Sequence, residues 1–180
     1  MMQKLLFLFF NCCAITLSVG QTYTGTGGPI YDDNTQSVYT IDVQGLSPNV
    51  LSPNHGLINV CINLTHTWDS DLDIRLIAPD GTNMMLSASL GNDGDNYTNA
   101  CFEMQAADHI INGSAPFTGS FRPFTSLGNV NNGSAGNGTW TLRILDQYPY
   151  ADTGELLGWS LTFGAGASAP LPFQSSKFPI

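Results

Sequence analysis

Positive charge is what this 180-residue chain has least of: five lysines and arginines stand against fourteen acidic residues, for a formal net charge of -9. That balance argues against nucleic acid and anionic membrane as partners, because both are held mainly through Lys and Arg. It is compatible with cation binding and, more simply, with solubility. Histidine is also scarce, with only His55, His66 and His109. His66 continues the inward phase of an alternating stretch, which makes it a hydrogen-bonded core or corner residue rather than a base. No serine sits in a Gly-x-Ser-x-Gly turn, and Gly133-Ser134-Ala135-Gly136 lacks that spacing. Nucleophilic catalysis therefore has little to draw on. A sustained helical period is missing as well.

One long apolar run is present, from Leu5 to Val19, preceded by a single cation, Lys4, and followed by small residues up to Gly20. It is too short and too poorly flanked for a stable membrane span and reads as a secretory signal peptide over residues 1–20, with Gln21 as the mature N-terminus. A lipid anchor at Cys12 or Cys13 is disfavoured by Phe10 and Asn11, where small residues would be needed. Losing Lys4 takes the charge from -9 to -10. About 160 residues remain, enough for one domain with a real core. The expected location is secreted, extracellular or at the cell surface. Export leaves two of the four cysteines, Cys61 and Cys101. In an oxidising compartment these most simply form one disulfide, the rival being two free thiols. Both fall on the polar phase of their strands, so the bridge belongs on the outer face of a sheet. Zinc needs more ligands than this pair offers.

What is abundant is alternation. Leading into and along Val60 to Gly81, Ile58, Val60, Ile62 and Leu64 share one face before an acidic corner, Trp68-Asp69-Ser70-Asp71. Leu72, Ile74 and Leu76 then resume the pattern until Pro79-Asp80-Gly81 turns the chain. Further strands are predicted over 37–43, 82–88, 97–104, 139–145 and 155–163. Residues 21–36 read as a mobile Gly/Thr-rich lead-in and 45–56 as a loop. Residues 105–135 read as a long loop pinned to the surface by Phe117, Phe121 and Phe124, and 164–180 as a flexible tail. Seven to eight or more short strands bounded by turns predict an all-β, jelly-roll-like antiparallel sandwich.

Five blocks carry a resemblance: THTWDSDLDIRLIAPDGT (65–82), GDNYTNACF (94–102), SAPFTGSFRP (114–123), GNGTWTLRILD (136–146) and DTGELLGWSLTF (152–163). In order and spacing they resemble the P domain, or P/Homo B domain, of kexin- and furin-like proprotein convertases, which also occurs in secreted bacterial proteins. The likeness covers roughly residues 37–163. Departures are Phe102-Glu103-Met104, where many bacterial members have Phe-Asp-Asp, and Gln147 to Tyr150, where a small Gly-rich turn is usual. The resemblance implies a β-sandwich that packs on a subtilisin-like serine endopeptidase, stabilises it and shapes its calcium and pH dependence without supplying a catalytic residue. No catalytic domain is expected ahead of Ser37.

Two surface features remain as functional candidates. Calcium takes six to eight oxygens, often from carboxylates on loops. If the two acidic corners meet, Asp71, Asp73, Asp93 and Asp95 share an ion; the plainer alternative pairs Asp71 or Asp73 with Arg75. Asp69-x-Asp71-x-Asp73 also begins like an EF-hand loop, but Ile74 occupies the glycine position. Trp140 and Trp159 lie on apolar phases, whereas Trp68 at the corner, with Tyr148 and Tyr150 in the last loop, forms a candidate contact surface. Five Asn-x-Ser/Thr sequons, at Asn63, Asn96, Asn112, Asn132 and Asn137, matter only in a glycosylating host. The sequence thus points to a non-catalytic accessory or binding module, its partner a protease catalytic domain, a cell-surface protein or a glycan. The alternative is a calcium-dependent adhesion or carbohydrate-binding sandwich.

Overall fold

The computed structural model describes residues 20–170, so all but the last residue of the expected signal peptide, and residues 171–180 of the expected tail, lie outside it. Ten strands form two sheets. One sheet holds β1 (Gln21–Ile30), β10 (Gly154–Gly164), β3 (Gly56–His66), β6 (Tyr97–Glu103), β8 (Phe117–Arg122) and β7 (Asp108–His109), in that order. The other runs β2 (Ser37–Val43), β9 (Gly138–Asp146), β4 (Leu72–Ile77), β5 (Asn83–Ala88). The alternation dictates this arrangement. Val60, Ile62 and Leu64 of β3 and Leu72, Ile74 and Leu76 of β4 are all buried, as are Trp140, Leu142 and Ile144 of β9 and Trp159, Leu161 and Phe163 of β10. A period of two puts each set on one face, and burying both faces together removes them from water at roughly 25 cal/mol per Å². Trp140 packs edge-on against Phe163, with centroids 5.4 Å apart, joining the two sheets.

Cys61 and Cys101 stand directly opposite each other on β3 and β6 and are joined by a disulfide. Neither shares the buried phase of its strand, so the bridge does sit on the outer face of the six-stranded sheet.

Three expectations change. Residues 21–30 are not a mobile lead-in but an edge strand paired along its length with β10. Their glycines serve close approach rather than flexibility: a Cβ on Gly27 would overlap the Leu156 carbonyl beside a bulge in β10, and one on Gly25 would collide with the Trp159 indole. The long loop of 105–135 contains β7 and β8, and β8 runs parallel to β6, so the sandwich is not wholly antiparallel. Phe117 is buried and stacks on Tyr97 at 4.5 Å instead of pinning a surface loop. The tail is anchored at its start, since Asn131 Nδ2 donates to the Ser168 carbonyl at 2.8 Å and Ala167 is buried.

Candidate functional site

Strands β1, β3, β5 and β9 end, and β2, β4, β6 and β10 begin, at the same pole of the sandwich. The loops 31–36, 67–71, 89–96 and 147–153 therefore gather there. They bring together Asp32, Asp33, Asp69, Asp71, Asp93, Asp95 and Asp152, with Asp146 at the end of β9: eight of the fourteen acidic residues of the chain. No lysine or arginine occurs in these loops.

Beneath the loops lies a buried pair. His66 and Asp146 each continue the inward phase of a strand, and their side chains are inaccessible, with Nε2 3.1 Å from Asp146 Oδ2. The Nδ1 atom sits 3.0 Å from the Trp68 carbonyl oxygen and 3.2 Å from the Trp68 amide nitrogen. Both imidazole nitrogens are thus committed, and the pair fixes the backbone of the corner that carries Trp68. An imidazole–carboxylate dyad that reaches neither solvent nor a serine hydroxyl cannot act on a substrate.

Above the pair opens a cleft of about 450 Å³ lined by Trp68, Asp71, Tyr148, Ala151 and Asp152. Hydrogen bonds between loops hold its walls. Thr67 Oγ1 donates to Asp152 Oδ1 at 2.9 Å, and the Gln147 amide donates to the Asp71 carbonyl at 2.9 Å. Asp32 accepts from the amides of Tyr150 and Asp152, at 2.6 and 3.2 Å, which ties the 31–36 loop to the last loop. Trp68, Tyr148 and Tyr150 are 43%, 64% and 84% exposed, as a contact surface requires. The Asp71 carboxyl is raised above the ordinary carboxylate range, first by burial and then by the charges of Asp146 and Asp152, with Asp152 close enough to hydrogen-bond it.

Asp69 is the other acid held above its ordinary range. Its side chain is buried inside the 89–96 loop, where Oδ1 accepts from the Asn96 amide at 3.0 Å and Oδ2 has no partner. Burial pushes its carboxyl up to about 7 against the lowering bond from Asn96, and the nearby Asp95 charge adds to the rise.

The four aspartates expected to share calcium are not gathered into one site. Asp73 is turned to Arg75, which donates from Nε at 2.7 Å and from Nη2 at 2.9 Å. Asp71 faces Asp152, while Asp93 and Asp95 stay in the 89–96 loop. Among the described residues no three acidic, histidine or cysteine side chains are grouped to hold a metal. Sequence reasoning missed Asp146, Asp152 and Asp32. For Asp146 a signal existed, since it follows Trp140, Leu142 and Ile144 at a spacing of two. Asp152 and Asp32 lie in loops and carry no such mark.

Comparison with known proteins identifies one family. A family model described as the proprotein convertase P-domain matches residues 56–163. The chain is 27% identical over 144 residues to the transglutaminase-activating metalloprotease of Streptomyces mobaraensis, covering 78% of this chain and 16% of that protein. It is 25% identical over 146 residues to leupeptin-inactivating enzyme 1 of Streptomyces exfoliatus, covering 80% and 26%. Among solved structures, the serine protease of Aeromonas sobria superposes with a TM-score of 0.46 at 19% identity, covering 83% of this chain and 27% of that one. The same protease in complex with its chaperone gives 0.48 at 19% identity, covering 85% and 27%. The chain thus spans about a quarter or less of the length of these proteins. With a match over more than half its residues, the chain belongs to the proprotein convertase P-domain family, whose domain is a non-catalytic accessory of proteases.

Proposed function

We propose that the chain is an exported accessory module that docks on a subtilisin-like serine endopeptidase domain and stabilises it, making no bond-breaking contribution of its own. The observation that carries this reading is the family match over residues 56–163. The inaccessible His66–Asp146 pair supports the absence of catalysis. The Cys61–Cys101 disulfide supports export, because such bridges persist in oxidising compartments. Two measurements test the proposal. Peptide-substrate turnover by the purified chain should stay at the buffer rate. Mixing it with a subtilisin-like catalytic domain that lacks a P domain should raise that domain's Tm and slow its self-cleavage. Turnover abolished by a serine-protease inhibitor, or a Tm unmoved by saturating chain, would sink it.

Exposed Trp68 and Tyr148 beside carboxylates favour a second reading, an adhesion or carbohydrate-binding sandwich. Glycan-array binding, measured with and without calcium, tests it directly, and a silent array removes it.

A further inference from the structure

The cleft between Trp68 and Tyr148 is built but unfilled by any side chain of the protein's own loops, and its chemistry is specific. We propose that it is a receptor for one arginine side chain presented by a partner polypeptide. This goes beyond the accessory role and does not require the partner to be a protease.

Charge is the first argument. Asp71 and Asp152 line the same cleft, and the buried Asp146 beneath it is already partnered by His66. Two carboxylates in one cleft call for positive charge between them. The loops contain no cation to supply it, and Arg75 is occupied by Asp73 one strand position beyond Leu72. Within these loops the cleft is left without a positive partner.

Shape and donor chemistry narrow the choice. Trp68 and Tyr148 present exposed rings on the cleft, and an aromatic face attracts a cation laid over it. A metal ion needs more oxygen ligands than these side chains gather. A quaternary ammonium has no N–H to give the paired carboxylates. An ammonium is a single, strongly hydrated point charge. A guanidinium is planar, stacks on aromatic rings and offers a fork of N–H donors, which suits ring walls and two neighbouring carboxylates together. The cleft is also preorganised. Thr67 and Asp32 fix the segment carrying Asp152, and His66 fixes the Trp68 backbone, so ligand binding orders little that is not ordered already.

The test is a titration of the purified full chain with the capped peptide acetyl-Gly-Arg-Gly-amide at low salt, followed by tryptophan fluorescence and by amide NMR shifts. Saturable binding is expected, with the largest shifts at residues 67–72 and 146–153. The lysine peptide should bind several-fold more weakly, and neither choline nor calcium at equal concentration should compete. Asp152→Asn and Trp68→Ala should each weaken binding about tenfold, as expected for loss of one charge-assisted bond or one cation–aromatic contact. Trp68→Phe should retain most of it. Trp68 is exposed and Asp152 is half-buried, so unchanged Tm values will show that the variants are folded. No saturation overturns the proposal. So does equal affinity for the arginine and lysine peptides with no loss in Trp68→Ala, which would mark diffuse attraction to an acidic surface. A failed protease-docking assay leaves this result standing, and the two proposals fail separately.

Discussion

Both poles of the sandwich are made of polar loops, but they solve the problem of polarity differently. At the pole where β9 begins, the loops close on one another through neutral amides. Asn131 is buried, with Oδ1 accepting from the Leu57 amide at 2.9 Å and Nδ2 donating to Ser168. Asn137 Oδ1 accepts from the Leu46 amide at 2.9 Å, and Asn49 Oδ1 accepts from the Asn137 amide at 2.7 Å. The Trp140 indole donates to the Gly136 carbonyl at 2.9 Å. At the pole where β9 ends, aspartates crowd without cations and keep a cleft open between them. Three aspartates report the difference, while the exposed Asp33 of the acidic pole is lowered by its hydrogen bonds with Thr35. Burial pushes Asp80, at the amide pole, upward, but bonds from Thr82, Ser134 and Asn132 outweigh it and hold the group below its ordinary range. Asp69 and Asp71, at the acidic pole, are both raised. Each pole leaves one buried side-chain atom without a partner, His55 Nδ1 at the amide pole and Asp69 Oδ2 at the acidic one, so the two ends differ in the charge they gather.

That contrast can be broken at several points. The largest effect is expected from Asp146→Ala, which strands His66 in the interior and releases the Trp68 corner: a loss of about 3–5 kcal/mol in urea unfolding. Removing the disulfide with paired Cys61→Ala and Cys101→Ala substitutions, which frees a sequence separation of 40 residues, should cost about 2–4 kcal/mol. Because that bridge lies between the poles, hydrogen exchange should quicken at both of them. Asn131→Ala leaves the Leu57 amide unpaired and should cost about 1–3 kcal/mol. Its cost should be the same at pH 5 and pH 8, since only neutral groups are involved.

The smallest of these effects, and the one that most sharpens the comparison, is the titration of Asp69. Its folded value of about 7 lies above its unfolded value near 3.8, so the native state binds the extra proton. Stability from this group is fully present below about pH 4 and is lost as pH rises through about 7. Asp69→Asn, which mimics the protonated acid, should flatten that decline and stabilise the protein above pH 7 by on the order of 1–2 kcal/mol. An Asn variant with the same pH slope as the parent would show that another group carries it.

Much of the fold was legible because its signal is periodic. Val60, Ile62 and Leu64, or Trp140, Leu142 and Ile144, declare a face by spacing alone, and Cys61 and Cys101 declare the opposite one. The first strand was not legible, because the same glycines mark both a flexible segment and a close approach. Only the position of Leu156, more than a hundred residues away, tells the two apart at Gly27. The acidic pole was legible in part. Trp68, Tyr148 and Tyr150 stand out as aromatics in loops, and each is exposed. The pairing of Asp71 with Asp152 instead of Asp73 depends on the crossing of β4 and β9, which places residue 72 beside residue 146. Local sequence contains no trace of that register.

The edge strand has one more consequence. Gln21 pairs with Phe163, so β1 starts where β10 finishes, and Gly20 touches the end of the last strand at Gly164. The polypeptide therefore enters and leaves the domain side by side, at the amide pole. Anything joined to it through either end is held at the amide-rich face. The acidic cleft points the other way, free to meet a second molecule without the tether in its path.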